Sequence, residues 1–219
     1  CTQFNEKTQI VLGYGGYEPQ QGFLDKLVRY DTFFIAVNYL SFARIGLPYM
    51  GVGRNMAYSR AAYEQSSKFT KHYHILSGDD DLFICEVGRK NNTQIELSGM
   101  GFTRSAQVNT FSEWCSQKKR HLTTAGSYRF IHQLLLTLEP FSRIVMYVAI
   151  ILYALLLGTT YVYVLISLVA VRFLLFFIIH NLNMNRLRES KLLVYSPIFD
   201  VLLPFVLTIL MIQNKLNTR

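Results

Sequence analysis

Three long apolar stretches fill the C-terminal third of the chain and predict helices that cross a membrane. The first two contain one charged residue each, Arg143 and Arg172, whereas Pro197, Asp200 and Pro204 interrupt the third. Each stretch is close to the roughly 20 residues that a helix needs to cross the apolar core of a bilayer. The predicted spans cover residues 141–157, 161–180 and 192–212.

The segments between these stretches predict how the spans are oriented. The short uncharged break at Gly158–Thr160 predicts that the first two spans form an antiparallel hairpin. Arg143 and the basic residues of the 181–191 loop lie on one side of the predicted membrane. Because basic flanks favour the cytoplasmic side, we expect an integral protein of the cell inner or plasma membrane with its soluble part in the cytoplasm.

Two features of the membrane part leave alternatives open. The apolar segment Phe130–Leu138 is too short to span, so it predicts an amphipathic helix at the membrane interface. The alternative is that it forms the first turns of a longer first span. Charges inside spans are often functional, which makes Arg172 a candidate, although its long side chain can also extend to the headgroups.

The first 129 residues have the pattern of a water-soluble α/β domain, in which short strands alternate with helices. Residues 130–219 form the predicted membrane region. The spacing predicts strands at 9–13 and 93–97, helices at 23–43, 56–66, 82–87 and 114–120, and a short apolar run at 74–76. Thr110–Glu113 has the capping-box pattern that begins a helix.

Composition agrees with this division. Hydrophobic residues make up 51% of the chain and charged residues only 16%, against about 25% charged in soluble domains. The net charge of +8 favours anionic partners such as lipid headgroups or nucleotide diphosphates, and no nucleic-acid partner is expected. The cysteines lack CxxC spacing, so neither a zinc site nor a disulfide framework is predicted.

The acidic segment Gly78–Asp81 is the first cluster that can carry chemistry. Three adjacent carboxylates repel one another, which raises at least one pKa and suits a general base or a divalent cation site. The alternative is an exposed acidic helix start, which capping and the helix dipole favour without any function.

A basic helix and a glycine-rich loop supply two more clusters. Gln117 and Arg120 are three residues apart and share a helix face, where an amide and a guanidinium can bind a diphosphate. Lys118 and Lys119 are expected to point elsewhere, toward lipid headgroups. In Gly51–Arg60, glycines allow close approach of the backbone to a ligand. The alternative for the basic helix is a solvated helix without a ligand, and the alternative for the glycine-rich segment is an ordinary turn.

Together the three clusters resemble the membrane-bound family 2 glycosyltransferases, relatives of the cellulose, chitin and hyaluronan synthases. GRNMAYSR resembles the family's G-x-N-x-A-x-x-R segment, SGDDDLF its E-D-x-D-L segment, and QKKRH its Q-x-x-R-W helix. The resemblance covers about residues 9 to 138 and implies the C-terminal half of a GT-A domain, a Rossmann-like fold. It further implies an inverting transferase that moves a sugar from a nucleotide-sugar donor to a lipid-linked or glycan acceptor.

The resemblance also implies roles for individual residues. Asp79 would be the general base, with Asp80 as the fallback if the alignment is shifted by one residue. Gln117 and Arg120 would bind the donor diphosphate. The residues that would shape the pocket are Gly53, Asn55, Trp114 and His121.

Two departures from the family pattern and one absence qualify this interpretation. Gly78 stands where the family has Glu, and His121 stands where processive synthases have Trp, so transfer of one or a few sugars is expected. The family uses Mg²⁺ or Mn²⁺ held by a D-x-D motif, which is expected upstream of Cys1, so the chain alone is expected to be inactive. The competing hypothesis is a non-catalytic membrane scaffold with a degenerate transferase fold.

Overall fold

The computed structural model describes residues 3–68, 70–71, 77–156 and 162–217. The strands are β1 (Ile10–Gly13), β2 (Gly15–Tyr17), β3 (Met56–Tyr58), β4 (Thr93–Glu96) and β5 (Thr103–Ser105). The helices are α1 (Phe23–Arg44), α2 (Arg60–Gln65), α3 (Asp79–Val87), α4 (Phe111–Thr124), α5 (Phe130–Leu156), α6 (Val162–Arg186) and α7 (Ser196–Asn217). The predicted apolar run at 74–76 and the predicted turn at 158–160 lie outside the described residues.

Two small sheets form the β structure. In the first, β1 lies between β3, which is antiparallel to it, and β4, which is parallel to it. In the second, β2 pairs in parallel with β5. Ile10 and Leu12 of β1 are fully buried. Of the described residues, 66% are helical, so strands and helices do coexist, but these sheets do not establish a GT-A domain.

Local sequence explains most element boundaries. The predicted capping box at the start of α4 is confirmed, because the Thr110 side chain accepts from the Glu113 N–H and the Glu113 carboxylate accepts from the Thr110 N–H. The helix predicted over 56–66 is wrong in its first part. Met56–Tyr58 pairs with β1 as a strand, and α2 begins only after Ser59, whose hydroxyl accepts from the Ala62 N–H.

The membrane part consists of α5, α6 and α7, three helices long and apolar enough to cross a membrane, as a membrane-embedded protein requires. A separate interfacial helix at 130–138 is not seen. α5 runs without a break from Phe130 to Leu156 with Pro140 inside it, so the alternative of a longer first helix is correct. The third predicted stretch also forms one helix. Pro197 lies in its first turn, where a backbone N–H has no helical acceptor, so the proline breaks no hydrogen bond.

The soluble and membrane parts share one core, which is centred on α1. The rings of Phe23 and Tyr30 lie 5.3 and 5.2 Å from the ring of Phe199 in α7. Tyr30 also stacks on His180 of α6, with its hydroxyl 3.2 Å from the His180 Nε2. The last turns of α6 therefore pack on the soluble part, which fixes the height of the membrane helices relative to the pocket described next.

Candidate functional site

A pocket of about 320 Å³ lies between α1, the 51–54 loop, the start of α3 and one face of α4. We call it the site pocket. It brings together five of the residues singled out in the sequence, and it does not include Asp79, Asn55 or Arg120 among its lining residues. The five are Gly53, Asp80, Trp114, Gln117 and His121.

Of the two candidate bases, Asp80 lines the site pocket, whereas Asp79 is exposed outside it. The Gly53 N–H donates to Asp80 Oδ2 at 2.6 Å, and the Asp81 N–H donates to Asp80 Oδ1 at 2.9 Å. Successive residues of a helix point about 100° apart, and the part of the first turn of α3 that faces the pocket includes Asp80 and Asp81 but not Asp79. The direction is set by Gly78, which has a positive φ of 84°. A Cβ on this glycine would lie 2.3 Å from the Thr124 side chain.

Asp81, the third acid, is buried at the back of the same pocket. The Tyr128 hydroxyl donates to Asp81 Oδ2 at 2.9 Å. Burial above all, and then the negative charge of Asp80, raise the pKa of Asp81 to about 8.

Lys118 points into the site pocket rather than toward lipid headgroups, which corrects the expectation from sequence. Its ammonium group forms an ion pair with Asp31 of α1, and the Trp114 indole N–H donates to the same carboxylate at 3.1 Å. Asp31 was not identified as a site residue from sequence. Its signal was weak, because a single acid on one face of α1 indicates a site only once its partners from α4 are known.

Gln117 and Arg120 do not meet at the pocket. The Gln117 amide donates to the Tyr17 hydroxyl at 3.2 Å, whereas Arg120 is exposed. The guanidinium that does line the pocket belongs to Arg54, which lies 4.2 Å over the Tyr17 ring and donates to the Gly15 carbonyl. His121 also lines the pocket, where partial burial and then the nearby Lys118 charge lower its imidazole pKa.

Asn55 has a structural task rather than a position in the pocket. Its amide donates to the carbonyls of Tyr14 and Gly101, each at 2.7 Å, and so joins the loop to both sheets. A Cβ on Gly13 would lie 2.7 Å from this amide. The hydrogen bonds of the Asn55 amide therefore hold the Gly51–Arg60 segment in place, with Gly53 and Arg54 beside the pocket.

Within the described ranges, no group of three or more His, Cys, Asp or Glu side chains is arranged to hold a metal ion. Mg²⁺ or Mn²⁺ therefore stays a prediction from the family resemblance.

No family model, curated protein or solved structure matches the chain. Function is therefore inferred from the site pocket and from the motifs that surround it.

Proposed function

We propose that the protein is an inverting glycosyltransferase that works at the cytoplasmic face of a membrane, with Asp80 as its general base. The observation that carries this proposal is the position of Asp80 on the wall of the site pocket, with both carboxylate oxygens fixed by backbone N–H groups. A base that is held in one orientation and faces a cavity meets the geometric requirement for proton abstraction from a bound hydroxyl.

In the proposed reaction, Asp80 takes the proton of an acceptor hydroxyl while the hydroxyl oxygen attacks the anomeric carbon of the donor sugar. The bond from that carbon to the nucleoside diphosphate breaks, and the diphosphate leaves with the electron pair. Gln117, Lys118 and Arg54 line the same pocket and supply an amide and two cations for the leaving group. In this proposal Gln117 keeps its role, and Lys118 and Arg54 take the place of Arg120.

The choice of Asp80 shifts the alignment with the family motif by one residue. Asp79 then takes the position of Glu, but Leu82 and Phe83 fall on the second Asp and the Leu of E-D-x-D-L. The choice of Asp80 therefore rests on its position in the pocket and not on the motif. A divalent cation belongs to the proposal by resemblance only, and no step is assigned to it because the described residues offer no group to hold it.

The test uses the full-length protein in membrane vesicles with a panel of radiolabelled nucleotide sugars. Replacing Asp80 by Asn should lower the rate of transfer by about 10²- to 10⁴-fold, the usual contribution of a general base. The matched control is Asp79→Asn, which removes the neighbouring exposed carboxylate and should keep most of the activity. Donor binding, measured by the change in Trp114 fluorescence when the donor is added, should persist in both variants.

Two results would contradict the proposal. Retained transfer in Asp80→Asn together with loss in Asp79→Asn would return the role of base to Asp79. Vesicles that transfer sugar from none of the donors, with or without the substitutions, would favour the non-catalytic scaffold.

A further inference from the structure

A second cavity, of about 380 Å³, lies between the soluble part and the membrane helices. We call it the boundary cavity. Its walls come from α1 and α4 on one side and from α5 and α7 on the other. It shares part of its lining with the site pocket, so the two spaces are adjacent. The shared residues are Asp31, Ile35, Met50, Asp81, Lys118 and His121.

The boundary cavity is lined mainly by apolar side chains. From α5 and α7 it receives Leu136, Pro140, Leu203 and Leu207. Glu139 and Arg143 also line it and are paired with each other, and its other charged side chains are ones that it shares with the site pocket. A mainly apolar space with polar groups beside the site pocket fits a molecule that has a polar head and a hydrocarbon body.

Pro140 and Pro204 both line the boundary cavity, one from each membrane helix. A proline inside a helix removes one backbone hydrogen bond and pushes the preceding turn away. With one proline from α5 and one from α7 in its wall, the space lies where neither helix has a regular backbone.

The bilayer decides which amphiphile is the occupant. Part of the wall belongs to α5 and α7, two helices that are long and apolar enough to cross a membrane, so the molecules nearest to this space are membrane lipids. A soluble glycan would leave its hydroxyl groups unpaired against Leu136, Leu203 and Leu207, which is costly. A hydrocarbon chain loses nothing there, and its burial is favourable.

We propose that the boundary cavity binds the hydrocarbon chain of a membrane lipid whose headgroup enters the site pocket, and that this lipid is the sugar acceptor. The inference rests on the proposed function and narrows its acceptor to a lipid. The headgroup hydroxyl gives its proton to Asp80 and forms the new bond to the anomeric carbon, while the bond to the diphosphate breaks. Lys118 and His121, on the shared wall, lie beside a headgroup in this position.

The experiment uses a long-chain alcohol with a photoreactive diazirine in the half of its chain next to the hydroxyl group, added to vesicles that contain the full-length protein. Lipid in the bulk bilayer labels only the outer faces of the membrane helices. A chain in the boundary cavity also labels Met50 and Leu122, which belong to its soluble wall. We expect adducts on these two residues after irradiation, identified by peptide mass spectrometry.

A pair of substitutions on α7 makes the test specific. Leu207→Trp fills the boundary cavity and should lower the labelling of Met50 and Leu122 several-fold, together with sugar transfer. Ile209→Trp is the matched control, because Ile209 is 54% exposed on the same helix and does not line the cavity. It should change neither readout. Absence of adducts on Met50 and Leu122, or equal loss in both variants, would overturn the inference.

The labelling separates this inference from the proposed function. Asp80→Asn should lose transfer and keep the labelling, since it removes the base and not the chain site. Transfer to a soluble glycan without any lipid product would overturn the lipid acceptor and leave the transferase proposal standing. Adducts on both residues in a protein that transfers no sugar would support the lipid site and remove the transferase proposal.

Discussion

Glu189 and Asp200 are two buried carboxylates that face similar partners in different surroundings. Glu189 lies in the connection between α6 and α7, where it pairs with Arg29 of α1 and with Arg104 of β5. The Tyr14 hydroxyl donates to Glu189 Oε1 at 3.0 Å. Burial, and then the charge of Glu189, raise the pKa of Tyr14. We call this group the Glu189 centre.

Asp200 lies inside α7 and has the same kinds of partner. Its carboxylate pairs with Arg143 of α5, at 3.2 Å, and with Arg172 of α6, and it accepts from the Tyr147 hydroxyl. We call this group the Asp200 centre. Arg172 therefore has a charged partner within the bundle. The sequence-based alternative, in which its side chain extends to the lipid headgroups, did not include this partner.

The two centres differ in what remains if the carboxylate is lost. In the Glu189 centre, Arg104 is 23% exposed and also donates to the carbonyls of Tyr17 and Arg188, while Arg29 keeps Asp25 at 3.4 Å. In the Asp200 centre, Arg172 is similarly exposed, at 21%, but it lies on a helix apolar enough to cross a membrane. Among the described residues it has only aromatic rings besides Asp200, and its Nη1 has no hydrogen-bond partner there. The comparison indicates that a carboxylate matters more where water cannot replace it.

Pro204 adds a backbone contact to the Asp200 centre. A proline at this position leaves the carbonyl four residues earlier, that of Asp200, without its helical donor. Arg143 Nη1 lies 3.4 Å from that carbonyl oxygen as well as 3.2 Å from the carboxylate. One guanidinium thus serves both the side chain and the freed backbone of Asp200.

The largest expected effect is that of Asp200→Ala. It leaves Arg143 with Glu139 and leaves Arg172 without a carboxylate partner among the described residues, and removal of one partner of a buried pair costs about 3–5 kcal/mol. The free energy of unfolding should fall by this amount in detergent micelles, followed by helical circular dichroism. Val201→Ala, the adjacent change without loss of charge, is the control. A loss no larger than in Val201→Ala would show that the centre does not stabilise the bundle.

Glu189→Ala should have a smaller effect, about 1–3 kcal/mol, because the two arginines keep other acceptors. Trp114 is the single tryptophan of the chain and is fully buried in the soluble part, so its fluorescence reports this unfolding. Glu64→Ala is the control, since Glu64 pairs with Arg60 on the surface, where ion pairs contribute little. A loss larger than that of Asp200→Ala would reverse the comparison.

Double-mutant cycles measure the two pairs directly. For Arg172→Gln with Asp200→Asn we expect a coupling of about 1–3 kcal/mol, as for residues in one buried network. For Arg104→Gln with Glu189→Gln the coupling should stay below about 1 kcal/mol, because Arg104 is in part hydrated. Equal couplings would mean that the surroundings do not distinguish the centres.

Asp81 sharpens the comparison, because among the described residues it is a buried carboxyl without an ion pair. Its pKa, raised to about 8, means that the folded protein keeps a proton that the unfolded chain releases above its ordinary value near 4. The unfolded state then binds fewer protons, so stability should fall as pH rises between about 4 and 8. Asp81→Asn should reduce this fall. Thermal unfolding across this range measures it, and an unchanged pH dependence would contradict the assignment.

Sequence patterns predicted the features that local physics determines. The three spans follow from the length of apolar runs, and the start of α4 follows from a capping box within four residues. Met56–Tyr58 was misassigned because a three-residue strand exists only through its pairing with β1. Long-range pairing of this kind leaves no periodic signal in the segment itself.

The site shows the same limit at the level of single side chains. The sequence located the acidic cluster but did not identify which acid faces the pocket, because the left-handed Gly78 sets the direction of α3. It proposed Arg120 from spacing on one helix, whereas Arg54, from another segment, lines the pocket. Asp31 and Lys118 meet across 87 residues of sequence, a distance at which no local pattern links them.

The Glu189 centre also fixes an order of events during synthesis of the protein. Arg29 and Glu189 are 160 positions apart, and both α5 and α6 lie between them. Chains emerge from the ribosome N-terminus first, so the ion pair of Arg29 with Glu189 forms only after the first two apolar helices have been made. Completion of the soluble part is thus tied to the arrival of these two helices, and in a nascent chain released before residue 189 the buried Arg29 keeps only Asp25 of its two carboxylate partners.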